Sequence, residues 1–329
     1  MRSTGRLPRW GATLGIFLLA LAAGGRTARA QEDLELQLFR PRLEIAAERT
    51  PDKPFRDITG DFAQRAVELK VNIPLGPTIF HPQSEHLLGH QVFAQVQYAS
   101  APTDISFLSR TPRLQTGAVR VAALFLSQHL NLYGGMLGAS FAEDDKTIHN
   151  LDARFSGLGF GTYRKTEKLT FLYGGVVSYQ YGRRLTVPLF GVSWRYRSRW
   201  TLFSVVPFLA KTTYTGSEKL RLSFQLAVAG NRYRFSNEGD FPGEPETIFL
   251  RLRQARLGAE IEYFVTRDTS FVGEAGVQNA RTLDFTRTSR PDSDFFSEPI
   301  EPAGYVKVAW RHTFGKSLVE KMQEQRRKP

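Results

Sequence analysis

Along most of the chain, apolar and polar side chains alternate with a period of two, the spacing that puts successive residues on opposite faces of a β-strand. Val92, Ala94, Val96 and Tyr98 form one face of such a segment, and Gln91, Gln95 and Gln97 the other, with Phe93 among them. Leu220, Leu222, Phe224, Leu226 and Val228 oppose Lys219, Arg221, Ser223 and Gln225. Phe190, Val192, Trp194 and Tyr196 oppose Gly191, Ser193, Arg195 and Arg197. The pattern predicts strands over 34–47, 62–75, 91–100, 114–127, 130–142, 152–164, 168–181, 186–197, 200–212, 219–232, 249–265, 270–280 and 303–314. The first is the weakest, because Pro41 interrupts it and Arg40, Arg42, Glu44 and Glu48 crowd it, so it reads equally as a plug, an edge or a lead-in.

No apolar stretch is long enough to cross a bilayer as a helix, yet the repeated two-faced strands fit an all-β, antiparallel transmembrane β-barrel with lipid outside and a polar lumen. Closed barrels of one chain have even strand numbers, so thirteen predicted segments imply one miscount; the expectation is about twelve strands, within a range of about ten to fourteen. Gln128-His129, Lys165-Thr166-Glu167 and Ser198-Arg199 are short, as periplasmic turns are, whereas 76–90, 143–151, 235–248 and 281–302 are longer, as outer loops are. Counting back from a periplasmic C-terminus places Ser198-Arg199 outside, a conflict that one error between Trp200 and Val265 removes. The apolar phase also slips between Leu252 and Leu257, which predicts a bulge near Arg253 and Gln254 or a missed turn. Tyr98, Tyr163, Tyr179, Tyr181, Trp194, Tyr196, Trp200, Tyr233, Tyr263, Trp310 and Phe314 gather near predicted strand ends and read as two aromatic girdles at the headgroup level. A soluble β-sandwich shares the period but needs a larger apolar core than 41% hydrophobic residues with abundant Phe and Tyr suggest.

The ends of the chain supply the address. Arg2, Arg6 and Arg9 precede a short apolar core from Gly11 to Ala23, and Ala28-Arg29-Ala30 supplies a small-x-small cleavage pattern. Residues 1–30 are thus expected to be a signal peptide cleaved after Ala30, 31–314 the outer-membrane barrel and 315–329 a charged periplasmic tail. With no cysteine, neither a lipid-attachment thiol nor a disulfide is available. Five of the charges in the net +12 are arginines of the leader, and no basic stripe is interleaved with stacking aromatics, so nucleic acid is not an expected partner. Leu318, Val319 and Met322 fall at helical spacing, and the tail reads as a short helix or a disordered end.

The segments Tyr173-Gly174-Gly175-Val176-Val177-Ser178-Tyr179, Val187-Pro188-Leu189-Phe190-Gly191 and Trp200-Thr201-Leu202-Phe203, the last leading to Val206-Pro207, resemble those of uncharacterised bacterial outer-membrane β-barrel proteins classed as domains of unknown function. The resemblance loosely covers Asp33 to Phe314 and implies barrel architecture rather than chemistry. The final strand from Gly304 through Trp310 to Phe314 looks like the assembly signal read by the barrel-insertion machinery, although Gly315 to Pro329 follow it.

Candidate chemistry is sparse. His86 and His90, with His81 nearby, have helical zinc-ligand spacing but no supporting carboxylate or helix, so no metal is expected. A lipid hydrolase would need a serine paired with an oriented histidine; His312 shares the outward face of Trp310 and Phe314, and no Gly-x-Ser-x-Gly elbow occurs. Gly157, Gly159 and Gly161 alternate within a strand instead of cradling a phosphate. No catalytic residue and no cofactor are therefore predicted. The period does place Arg256, Glu260, Glu262, Glu274, Gln278, Lys307 and Arg311 toward the lumen on neighbouring strands. Such charges line a pore, or fill a narrow barrel as a satisfied network. The functional expectation is a monomeric porin-like channel for small solutes in contact with outer-membrane lipid and lipopolysaccharide; the alternatives are a structural or adhesion barrel with a filled lumen and an outer-membrane lipid hydrolase.

Overall fold

The computed structural model describes residues 40–81, 84, 86–149, 151–178, 185–316, 318 and 321. The expected signal peptide, the first part of the segment 34–47, Tyr179, Tyr181, Val319 and Met322 lie outside the described residues. Strands follow one another through the chain: β1 (Arg42–Pro54), β2 (Asp61–Pro74), β3 (Ile79–Phe80), β4 (Leu87–Ile105), β5 (Arg113–Ser127), β6 (Leu132–Glu143), β7 (Arg154–Thr166) and β8 (Leu169–Ser178). They continue as β9 (Leu185–Arg197), β10 (Trp200–Val206), β11 (Leu209–Thr215), β12 (Leu220–Ser236), β13 (Thr247–Phe264), β14 (Thr269–Arg287), β15 (Arg290–Ile300) and β16 (Ala303–Thr313).

Antiparallel ladders join β1, β2, β4 to β14 and β16 in a ring, with β16 pairing both β14 and β1. Fourteen strands therefore close the sheet, while β3 pairs only β4 and β15 only β14. Closure leaves no strand of the ring with a free edge along its whole length, which is what a sheet surrounded by lipid requires. The expected count of about twelve is corrected to fourteen. The miscount lies at 200–212, where the chain turns at Pro207-Phe208 and returns as a separate strand. That turn is within the window in which the orientation conflict predicted an error, and it puts Ser198-Arg199 at the same end as the other short turns. Pro41 ends nothing: β1 begins immediately after it and pairs on both edges, so the plug and edge readings are replaced by a seam strand. The bulge is present, as a register shift between Arg253 and Ala255.

Both described chain ends, β3 and the turns near 128–131, 166–169, 198–200, 215–220 and 264–269 lie at one end of the barrel, here the terminal end. The segment 76–90, expected as an outer loop, belongs to this end, since it joins the descending β2 to the ascending β4. The long loops before β7 and β13 and the β14–β15 hairpin lie at the far end.

Outward side chains make the apolar band: Ile45, Val67, Val119, Leu137, Phe155, Phe190, Leu226, Leu257 and Val308 are all exposed. Leu137 at 74% and Phe155 at 72% exposure would be intolerable in water on this scale and are ordinary against lipid. At the terminal end the rings of Trp194, Tyr196, Trp200 and Tyr214 form a chain of contacts, with successive centroids 5.5, 6.1 and 4.9 Å apart, and Trp310 stacks on His312 at 5.9 Å. Tyr233, expected in a girdle, is instead buried inside the far end.

Candidate functional site in the barrel lumen

Strand alternation turns one set of charged residues of β1, β2, β11 to β14 and β16 inward, and their long side chains meet across two or three strands, while Arg49 and Arg65 face outward. Arg311 on β16 is the centre of one group: its Nε donates to Glu44 at 2.7 Å, and its guanidinium lies 3.4 Å from Glu262 and 3.6 Å from Glu260. Lys211 on β11 reaches Glu260 at 2.8 Å, and Arg221 lies 3.8 Å from Glu262. Nearer the far end Arg256 pairs with Glu48 at 2.9 Å, while Lys307 and Lys70 share Glu68 at 3.5 and 2.9 Å. Glu274 accepts from the Tyr305 hydroxyl and from Gln225, and Gln278 donates to Glu48.

Of the residues predicted to face the lumen, Arg311 gathers Glu260 and Glu262, while Arg256, Lys307 and Glu274 hold separate partners in Glu48, Glu68 and Tyr305. Lys307 lies directly opposite Glu274 in the β14–β16 register, and its ion pair is with Glu68 on the other side of the β1 seam. Reading the period missed Glu44, Glu48, Glu68, Lys70 and Lys211, although the alternation of β1, Glu44-x-Ala46-x-Glu48, carries the same signal. Gly304, Trp310 and Phe314 lie on or just after β16, with Phe314 exposed and its N–H bonded to the Pro41 carbonyl. His81 and His90 share a 2.9 Å hydrogen bond, and no group of three metal-ligating side chains occurs among the described residues.

Two adjoining cavities of about 300 and about 340 Å³ occupy the middle of the lumen and share Ala229, Gly230 and Asn231 as a common wall. Glu48, Glu68, Lys70, Arg256 and Lys307 line the second, together with Gln64 and Gln254. Gln97, Thr116, Arg120, Ser140, Arg154 and Ser156 line the first.

Apolar clusters bound this chamber. At the far end Phe62, Ile105, Leu114, Phe235, Ile248, Leu250, Leu283 and Phe285 are buried inside the barrel. Phe107 and Phe241 from loops, with Phe296 of β15, pack against Phe285; the Phe241 and Phe285 centroids are 4.6 Å apart. Arg110 bonds Asp144 and Asp145 beneath these loops, and Glu143 of β6 bridges directly to Arg234 of β12. The barrel is therefore pinched above the shorter strands β7 to β11. At the terminal end Phe93, Leu124, Leu126 and Leu132 enclose Leu318, which is buried, and Lys321 donates to Thr78 at 3.0 Å.

The family described as "Domain of unknown function (DUF6268)" matches residues 126–317, more than half of the chain. The chain belongs to this family. Among curated proteins none matches the sequence. Solved structures that resemble this family member include the TodX monoaromatic hydrocarbon channel deltaS2 mutant, with 10% identity, 84% of this chain and 90% of that chain covered and a TM-score of 0.45. A bacterial polysaccharide outer membrane secretin is similar at 10% identity over 84% and 99% of the two chains, with a TM-score of 0.36. The transport unit of the autotransporter AIDA-I from Escherichia coli is similar at 10% identity over 93% and 98%, with a TM-score of 0.29. The DUF6268 barrel described above stands on its own strand ladder, and the cargo of these distant proteins is not carried over to it.

Proposed function

We propose that this DUF6268 protein is a monomeric outer-membrane channel that takes a small polar solute into the mixed-charge chamber and passes it across the bilayer. The chamber itself carries this reading: polar space at the centre of a closed, lipid-facing barrel, lined by paired charges of both signs. Charges facing away from lipid are costly to bury without pairing, and a ring of paired carboxylates and cations leaves groups that exchange partners with a passing solute. The reading orients the terminal end toward the periplasm and the aromatic cap outward.

The far-end cap favours a second reading, a barrel whose lumen is filled for stability or adhesion, because Phe107, Phe241, Phe285 and Phe296 lie across the route out of the chamber. A channel needs these loop aromatics to part; a structural barrel does not. Recording currents from the purified protein in planar bilayers separates the two. The expected outcome is conductance whose selectivity moves toward cations in Lys307→Glu, as a chamber-lining positive charge becomes negative. No conductance from folded protein would establish the filled barrel instead.

A further inference from the structure

The two halves of the chamber differ in charge balance. Around the larger cavity every cation has a carboxylate: Arg256 has Glu48, and Lys70 and Lys307 have Glu68. Around the other, two guanidinium groups and no carboxylate form the lining. Arg154 is spent on the wall, donating to the carbonyls of Arg232 and Ala142 and lying 3.4 Å from Asp152. Arg120 is not. Its Nη1 donates to the neutral oxygens Gln95 Oε1 at 3.1 Å and Gln97 Oε1 at 3.2 Å, and no carboxylate among the described residues pairs with it.

Register places Arg120 in a built setting. Arg120 on β5 pairs with Gly138 on β6, which pairs with Ser156 on β7, so the three form one inward row. Gly138 leaves the space in which the Arg120 stem lies, since a Cβ there would sit 2.5 Å from Arg120 Cγ and 2.7 Å from the Val119 carbonyl oxygen. Ser156, and Thr116 further along β5, bring hydroxyls to the same cavity, and neither is hydrogen-bonded to protein among the described residues. A guanidinium presents a planar fork of donors suited to a carboxylate or phosphate, and charge-assisted bonds of this kind are about twice as strong as neutral ones.

We propose that Arg120 binds a compact oxyanion, so that the solute entering this half of the chamber carries a carboxylate or an inorganic oxyanion group. The proposal deepens the channel reading and rests on it for transport, but the two fail separately: bilayer current reads the channel, and equilibrium binding to the detergent-solubilised barrel reads the site. Trifluoroacetate is the probe, followed by fluorine NMR at low ionic strength, with folding of each variant confirmed by its heat-modifiable gel mobility. Wild type is expected to broaden the resonance saturably, and Arg120→Gln to weaken binding about tenfold or more, the loss of one charge-assisted bidentate contact. Arg113→Gln, which removes the same charge from an exposed position on the same strand, is expected to leave binding unchanged. Arg120→Lys keeps the charge but loses the planar fork, and is expected to weaken binding severalfold; it decides the matter if Arg120→Gln does not fold. Displacement of the probe by acetate alone would identify a carboxylate site, and displacement by acetate and inorganic phosphate a general oxyanion site. Absence of saturable binding by wild type, or equal affinity in wild type and both site variants, would overturn the proposal.

Discussion

Lys307 and Val308 are chain neighbours in different solvents. Lys307 points into the lumen beside Glu68, and Val308, at the middle of β16, is more than half exposed on the lipid face. Val308→Lys is therefore expected to cost about 2–4 kcal/mol of barrel stability near the bilayer midplane. The check is denaturant unfolding in phospholipid vesicles, in which equal stability of Val308→Lys and wild type would contradict the outward assignment. Facing of this sort was legible from the period alone. Partnership was not: Lys307 meets Glu68 because β1 and β2 close the seam next to β16, and nothing local to Lys307 reports what arrives from more than two hundred residues away. Arg120 shows the same limit. Its inward direction follows from the alternation Val119-Arg120-Val121, whereas its lack of a carboxylate depends on Gly138 and Ser156, which two further strands bring beside it.

At the scale of elements, the readable strands were those bounded by polar turns. β10 and β11 merged in the sequence reading because their connection, Val206-Pro207-Phe208-Leu209, is apolar and lacks the Gly or Asn that marks a tight hairpin. Tyr233 was misplaced for a related reason: period two gives its face correctly, but β12 runs beyond the lipid band and carries Tyr233 into the far-end core. The C-terminal segment gives a test of which element closes the barrel. β16 pairs β1 and β14 along its length, so truncation after Gly315 is expected to leave assembly intact, whereas Trp310→Asp, which charges the outward face of the closing strand, impairs it. Truncation also removes Leu318 from its socket of Phe93, Leu124, Leu126 and Leu132. A fully buried leucine contributes about 1.5–3 kcal/mol, so the truncated barrel is expected to unfold at lower urea with unchanged membrane yield. Loss of yield on truncation, or normal yield for Trp310→Asp, would show that the tail and not β16 guides insertion.

The whole molecule has walls of unequal height. β12, β13 and β14 are 17, 18 and 19 residues long, while β10 and β11 have seven each. Seven residues at about 3.3 Å make a strand of about 23 Å, and a tilt of about 40° brings its vertical reach to about 18 Å, below the roughly 25 Å apolar belt usual for such barrels. Hydrophobic mismatch then falls on one flank: lipid beside the β10–β11 hairpin has to thin by several ångströms, while lipid beside β13 does not. The protein should therefore sit in an asymmetric dimple and prefer short acyl chains. Lengthening the hairpin by two residues in each strand is expected to move the acyl length of greatest stability upward, as measured by urea unfolding across a series of phosphatidylcholines. An optimum that ignores the insertion would mean that the bilayer does not feel the low wall, and that the membrane meets this barrel as a uniform cylinder.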